Sequence, residues 1–371
     1  MFCHELPAEP PASPVSADAW VSFRRSIWIG LLLGAFVGFF ACSPAAQVVR
    51  RDDALPPLVE RFQVFYLPTA QLSNPSGLAF AGTLQDGRVQ LFAVCDGSAM
   101  TKDGFTLDQV VVSLVVDPSG VVPLDITPIK LDPQAAPCDL ESIDVDPRDG
   151  QLWVADERVA GVPACGGTLD GGAARSRVFK IDRFGKLLEG PYEVDVVNTK
   201  NNGLEAIAIR MEPDGAHLYA LKEWSLNGKP EIFNYRLTGQ PSQPLEKVAT
   251  YELEVPGRLF LTQSAADFGQ QDGRLRILDR DGLELLTASL PPGTPSGKVT
   301  AEGRTLLGLV ELASGIKLGN DGELRQGMIE GLTSTPDGGL FILLDNNGQP
   351  LAEGDKRARL IYLKLGAAGA P

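Results

Sequence analysis

Histidine is almost missing from this sequence. Of 371 residues only two are His, at positions 4 and 217. His4 lies ahead of an apolar export-type segment, so a zinc site with two His ligands is excluded from the body of the chain. A Ser-His-Asp or Cys-His relay there would have to run through His217 alone. Basic charge is scarce too: 33 Lys and Arg stand against 47 Asp and Glu, a net charge of −14. That balance repels phosphate backbones and anionic headgroups, so neither nucleic acid nor a lipid surface is an expected partner. Aromatic residues make up 7% and cysteines number five. Turn chemistry, in contrast, is abundant. Forty Gly and 28 Pro punctuate a chain that is 44% hydrophobic, ordinary for a many-turned β-protein and heavy for a helical one.

The N-terminus reads as an export segment. Arg24 and Arg25 precede an apolar run, Ser26 to Ala41, that ends at Cys42. A basic pair, an apolar stretch and a small residue before Cys is the layout of a lipoprotein signal. The run is short for a membrane span of about twenty residues, although an uncleaved membrane anchor is the alternative. Phe39-Phe40-Ala41-Cys42 resembles a lipobox in which Phe39 replaces the usual aliphatic residue. The expectation is a signal peptide over 1–41, lipidation of Cys42, and a polar tether to residue 59. Ser43 fits sorting to the outer membrane, with a monomeric domain facing the periplasm or exterior.

Three further cysteines remain, Cys95, Cys138 and Cys165. In an oxidising compartment two of them pair. Cys138 and Cys165 both fall in Pro/Gly-rich loops and form the expected disulfide. Cys95 sits in an apolar run and reads as a small buried hydrophobe.

One pattern recurs five times: SGLAF at Ser76, ESIDV at Glu141, EAIAI at Glu205, SAADF at Ser264 and EGLTS at Glu330. Each copy runs into an Asp-Gly pair (Asp86-Gly87, Asp149-Gly150, Asp214-Gly215, Asp272-Gly273, Asp337-Gly338) and then a second apolar strand. Asp-Gly between alternating apolar runs predicts a hairpin, here with a type I′ turn. Further strands follow in most copies, so each unit reads as a four-stranded meander. The last unit has three clear strands, ending in ARLIYLKL, while an unmatched strand, RFQVFYL, precedes the first. An N-terminal strand completing the C-terminal sheet closes a ring and removes its edges. The prediction is an all-β, single-domain β-propeller over 60–369 with five four-stranded blades, six being the runner-up because the fourth unit is long.

In a propeller the first strands start at the rim where the second strands end. The column Ser76, Glu141, Glu205, Ser264 and Glu330 should therefore meet Asp96, Asp156, Lys222, Asp279 and Asp345, followed by Gly97, Glu157, Glu223, Arg280 and Asn346. The Asp-Gly turns and His217 fall at the opposite rim, where no catalytic role is expected. Carboxylates crowded at one mouth repel, raise one another's pKa, or recruit a cation. Oxygen-only donors suit Ca²⁺ or Mg²⁺. Glu141, Glu205 and Glu330 are the expected metal ligands, Asp156 and Asp345 the groups that position or deprotonate water, and Arg280 with Lys222 the anion stabilisers. The competing reading is that Glu and Arg side chains pair between blades and lock the ring. Trp153 and Trp224 read as packing.

The segments LESI (140–143), LEAI (204–207) and IEGL (329–332), with WVADE (153–157), RILDRD (276–281) and ILLDNN (342–347), resemble the phytase-like propeller family named for esterase-like activity of phytase. The resemblance spans about residues 70–365. It implies a secreted propeller that hydrolyses phosphate or carboxylic esters, with carboxylate-held calcium. It places Glu141, Glu205, Glu330, Asp156, Glu157, Arg280 and Asp345 at the family's motif positions. This sequence departs from the pattern where Ser76 and Ser264 replace Glu, and Ser142 and Ala206 replace Gly. Few Lys or Arg accompany the ring, which argues against a hexaphosphate substrate. Two functions follow as expectations. One is a divalent-cation-dependent hydrolase of small anionic esters; the other is a non-catalytic propeller that binds a protein or polymer at the same mouth. No organic cofactor is expected.

Overall fold

The computed structural model describes residues 59–67, 74–95, 100–101, 104–105, 110–120, 124–157, 174–198, 202–224, 230–258, 261–307, 328–345 and 358–365. The expected signal peptide, Cys42, nearly all of the tether, Asp96, Cys165 and Asn346 lie outside them.

The chain opens with β1 (Val59–Leu67). The first meander comprises β2 (Pro75–Thr83), β3 (Val89–Cys95), a two-residue ribbon of β4 (Met100–Thr101) and β5 (Gly104–Phe105), then β6 (Val110–Val116) and β7 (Asp125–Ile129). The second is β8 (Leu140–Val145), β9 (Leu152–Asp156), β10 (Ala174–Ile181) and β11 (Leu187–Asn198). The third is β12 (Leu204–Glu212), β13 (Gly215–Lys222), β14 (Glu231–Leu237) and β15 (Leu245–Glu254). The fourth is β16 (Gln263–Phe268), β17 (Leu275–Asp279), β18 (Glu284–Ala288) and β19 (Gly297–Leu306). The last is β20 (Met328–Ser334), β21 (Leu340–Asp345) and β22 (Ala358–Leu365), and β1 joins it antiparallel to β22. The N-terminal strand thus completes the C-terminal sheet.

The first strands touch in a closed cycle, β2 on β8, β8 on β12, β12 on β16, β16 on β20 and β20 back on β2. This cycle is the inner wall of a β-propeller. Each sheet is apolar on both faces because each face meets a neighbouring sheet. Leu152 and Val154 pack with Phe92 and Ile143 against the first sheet. Trp153 and Ala155, one residue out of phase, pack with Leu218 and Phe233 against the third. Equivalent cores join the third sheet to the fourth, the fourth to the last, and the last to the first. Second strands therefore read as mostly apolar runs, and burying each Leu or Phe contributes about 1.5–3 kcal/mol.

The crowding at the axis explains the second position of the repeat, which is always Gly, Ser or Ala. A Cβ on Gly77 would lie 2.5 Å from Cα of Ser142, and one on Gly331 2.8 Å from the carbonyl oxygen of Ser76. Neighbouring first strands are also stitched side chain to backbone. Ile207 N–H donates to Oγ of Ser142 at 3.0 Å, Phe80 N–H to Oγ1 of Thr333 at 3.0 Å, and Ser334 N–H to Oδ2 of Asp267 at 2.7 Å.

One expectation is corrected, and one pairing is unforeseen. The Asp-Gly turns are not type I′, because only the glycines take positive φ (85° at Gly87, 71° at Gly150). Outside the third unit they are longer loops, in which Gly87 N–H donates to the Leu84 carbonyl at 3.0 Å and Gly150 N–H to that of Asp146 at 2.8 Å. The aspartate instead accepts the N–H two residues on, from Arg88, Gln151 and Arg274. The second surprise is at the periphery, where β15 and β19 pair in parallel from Tyr251↔Gly297 to Glu254↔Thr300. Two outer edges there cover each other.

Candidate functional site: an acidic channel mouth

The register of each first strand slips at the repeat's first position. Leu140 faces Asp156 and Ser142 faces Ala155, leaving Glu141 as the extra residue; Glu205, Ser264 and Glu330 are extra in the same way. A bulge re-aims the side chain it carries. Its repetition around the ring turns the Glu column toward the mouth.

There Arg280, just past β17, forms the hub. Its Nη1 donates to both oxygens of Glu330, at 2.8 and 3.0 Å, and its Nη2 engages Glu223. Glu205 is buried beside them and shares a hydrogen bond with Glu223. Burial, reinforced by Glu223, holds the Glu205 carboxyl well above the usual carboxylate range, even though Arg280 pulls it down. Desolvation likewise pushes Glu223 up to about 7. Arg280 itself is held more firmly protonated by its three carboxylate neighbours.

A second group adjoins this hub. Oε1 of Glu157, buried, accepts the Gly203 N–H at 2.6 Å, and desolvation raises its pKa to about 7. Oε2 of Glu141 accepts the Ser76 hydroxyl at 2.9 Å across the boundary between the first two sheets. Ligand atoms of Asp139, Glu141 and Glu157 lie within 4.8 Å of one another. An all-carboxylate donor set of this spacing fits a hard cation such as Ca²⁺ or Mg²⁺ and offers nothing to a soft one.

The expected ligands therefore divide. Glu205 and Glu330 converge on Arg280, whereas Glu141 belongs with Asp139 and Glu157, which are carried by the segments flanking β8 and β9. Glu157 and Glu223 follow the second-strand column directly and their position was readable. Asp139 precedes the repeat and no spacing pointed to it. Asp144 and Asp267, at the fourth repeat position, extend the acidic lining below the mouth; burial and mutual repulsion raise Asp144, and burial pushes Asp267 up to about 6.

Asp156 is not placed to handle water. Its Oδ1 accepts the N–H groups of Cys138 and Asp139, both at 2.9 Å, and its Oδ2 is taken by Arg177. Asp279 does the same in the fourth unit, accepting the Thr262 N–H at 3.1 Å and pairing with Arg258. An aspartate at this position clamps the segment entering its own first strand. Asp345 ends β21 at the equivalent position, buried. In the third unit Lys222 stands there; it is half-buried, and no carboxylate among the described residues pairs with its ammonium. Cys138 is disulfide-bonded, its expected partner Cys165 lying outside the described residues, and Cys95 is a buried thiol in β3. Trp153 is packed, its indole N–H donating to Asp146 at 3.1 Å.

The fold is similar to that of a GH43_1 enzyme from Xanthomonas citri complexed with xylose (12% identity, 83% of this chain and 92% of that one, TM-score 0.47). It is also similar to a putative exo-β-1,3-galactanase from Bifidobacterium bifidum (12%, 83% and 96%, TM-score 0.42) and a periplasmic gluconolactonase from Pseudomonas aeruginosa (18%, 79% and 71%, TM-score 0.38). At such distances none lends its substrate. No curated protein matches in sequence. The phytase-like family, described as esterase-like activity of phytase, matches residues 70–348, from ahead of the first repeat to past the last acidic strand end. The chain belongs to that family.

Proposed function

We propose that this propeller is a divalent-cation-dependent hydrolase of small phosphate or carboxylic esters, acting at the acidic mouth. The convergence of Asp139, Glu141 and Glu157 carries the reading. These three would hold the ion, which when bound supplies Lewis-acid polarisation of the ester. Glu223, titrating near 7, exchanges protons with an attacking water or a leaving alcohol at the pH where such groups work best. Glu205 shares a proton with Glu223 and keeps it at the mouth. Lys222, at the same rim, meets the substrate's negative charge. Arg280 is spent on Glu223 and Glu330, so among the described residues Lys222 is the cation left to serve the anion, and a polyphosphate is a poor fit. The apolar run ending at Cys42 supports export and attachment by a lipid at the outer membrane.

The locking of Arg280 favours a second reading, a propeller that binds a protein or polymer at this mouth without turnover. Hydrolysis of p-nitrophenyl phosphate and p-nitrophenyl acetate, with and without EDTA, separates the two. The enzyme reading expects chelator-sensitive turnover that falls about a hundredfold in Glu157→Gln. Absence of turnover on both substrates, with Ca²⁺ still raising the melting temperature, supports the binding reading.

A further inference from the structure

The opposite rim of the third unit breaks the repeat. Its turn is only Pro213-Asp214, with Glu212 facing Gly215 directly. The aspartate that elsewhere accepts the N–H two residues on is here turned to the imidazole of His217, with Oδ1 3.0 Å from Nε2. His217 is buried.

The proton positions on this imidazole can be traced through its neighbours. Oδ1 of Asn234 lies 2.9 Å from Nδ1 of His217; an amide oxygen only accepts, so with the amide placed this way Nδ1 carries the hydrogen. The Nε2 lone pair is left facing a carboxylate oxygen. Two acceptors at 3.0 Å are joined only by a proton or by a cation.

A third donor stands alongside. Oε1 of Glu212 takes Arg210 and the Tyr219 hydroxyl, while its Oε2 lies 3.9 Å from Nδ1 of His217. Ligand atoms of Glu212, Asp214 and His217 fall within 4.8 Å of one another. Arg236 approaches the other oxygen of Asp214, Oδ2, at 3.5 Å. A cleft of about 360 Å³ opens over the group, walled by Val248 and the turn 292–295.

We infer that this cleft is a second metal site, for a borderline divalent ion such as Zn²⁺, held by Nε2 of His217 and carboxylate oxygens of Asp214 and Glu212, with an open coordination position toward the cleft. An imidazole whose distal N–H is anchored to a carbonyl oxygen is the form in which His ligates metal. Three mixed N/O ligands and an open position match Zn²⁺ and disfavour Ca²⁺, in contrast to the all-oxygen mouth. The site does not depend on the hydrolase reading.

The test uses the untagged full chain labelled with ¹⁵N-histidine and titrated with Zn²⁺ alone. Only His4 and His217 contribute ring signals, and His217→Gln assigns them. The site predicts that about one equivalent of Zn²⁺ shifts the Nε2 resonance of His217. Asp214→Asn, at a side chain half exposed and so tolerant of change, should weaken Zn²⁺ binding about tenfold or more, whereas Glu157→Gln leaves the shift intact. A His217 signal unmoved by Zn²⁺ shows a proton-bridged His–Asp pair and overturns the site. So does an Asp214→Asn chain that binds Zn²⁺ as tightly as the parent.

Discussion

Arg280 bridges two sheets: one guanidinium nitrogen sits 2.8 and 3.0 Å from the two oxygens of Glu330 in the last sheet, and the other engages Glu223 in the third. It is the cation that keeps a desolvated acidic hub together. Arg280→Met should therefore cost about 3–5 kcal/mol at pH 8, the range for stripping a partner from buried charge. The loss should shrink at pH 5, where the carboxyls take up protons instead. Denaturant melts of both chains at the two pH values check this, and an equal loss at both would contradict it.

Stability in the absence of divalent cations should fall as pH rises from about 4.5 through about 7. Glu157 and Glu223 titrate near 7 and Asp267 near 6 when folded, against roughly 4 when unfolded. In that window the folded chain holds protons the unfolded chain has lost, so each pH unit costs stability, about 1.4 kcal/mol per fully contributing group. Asp146, lowered by its bonds to Arg148 and Lys180 despite burial, acts with the opposite sign, but only below about pH 4. Melting temperatures measured in EDTA from pH 5 to 8 should decline, and Ca²⁺ should restore them most at pH 8. A rising profile would contradict the assignment.

Asp156→Asn should damage the fold and spare the chemistry. The carboxylate holds two backbone N–H groups and Arg177, so the substitution should cost about 2–4 kcal/mol. Turnover per folded molecule should stay within a few-fold of the parent. A large loss of turnover with unchanged melting would return Asp156 to the catalytic set.

Gly77→Ala tests the crowded inner wall. Its Cβ would meet the Ser142 backbone at 2.5 Å, and backbone cannot step aside as a side-chain end can. A loss of about 1–3 kcal/mol is expected in denaturant melts. No loss would mean that the first strands are further apart than described.

Much of this was legible in the residues. The Glu column, the apolar second strands and the unmatched RFQVFYL strand suffice for a ring closed by its own N-terminus. The gathering of Glu205, Glu330 and Arg280 at one mouth follows from strand direction alone. The bulges at Glu141, Glu205 and Glu330 were hidden, since a one-residue register slip leaves no compositional trace. Asp139 was missed because it lies in a loop before the repeat, and Asp156 was misjudged because sequence shows a carboxylate but not the backbone it caps. The β15–β19 pairing joins strands of different units, and no local pattern encodes it.

The central claim is that Asp139, Glu141 and Glu157 form a hard-cation site at the channel mouth. Calorimetric titration of the chelator-stripped chain with Ca²⁺ at pH 8 tests it most directly, alongside Glu141→Gln and Glu157→Gln. The account predicts saturable binding in the parent and at least about tenfold weaker binding in each variant. Undetectable binding in the parent, or binding unchanged in both variants, would contradict it.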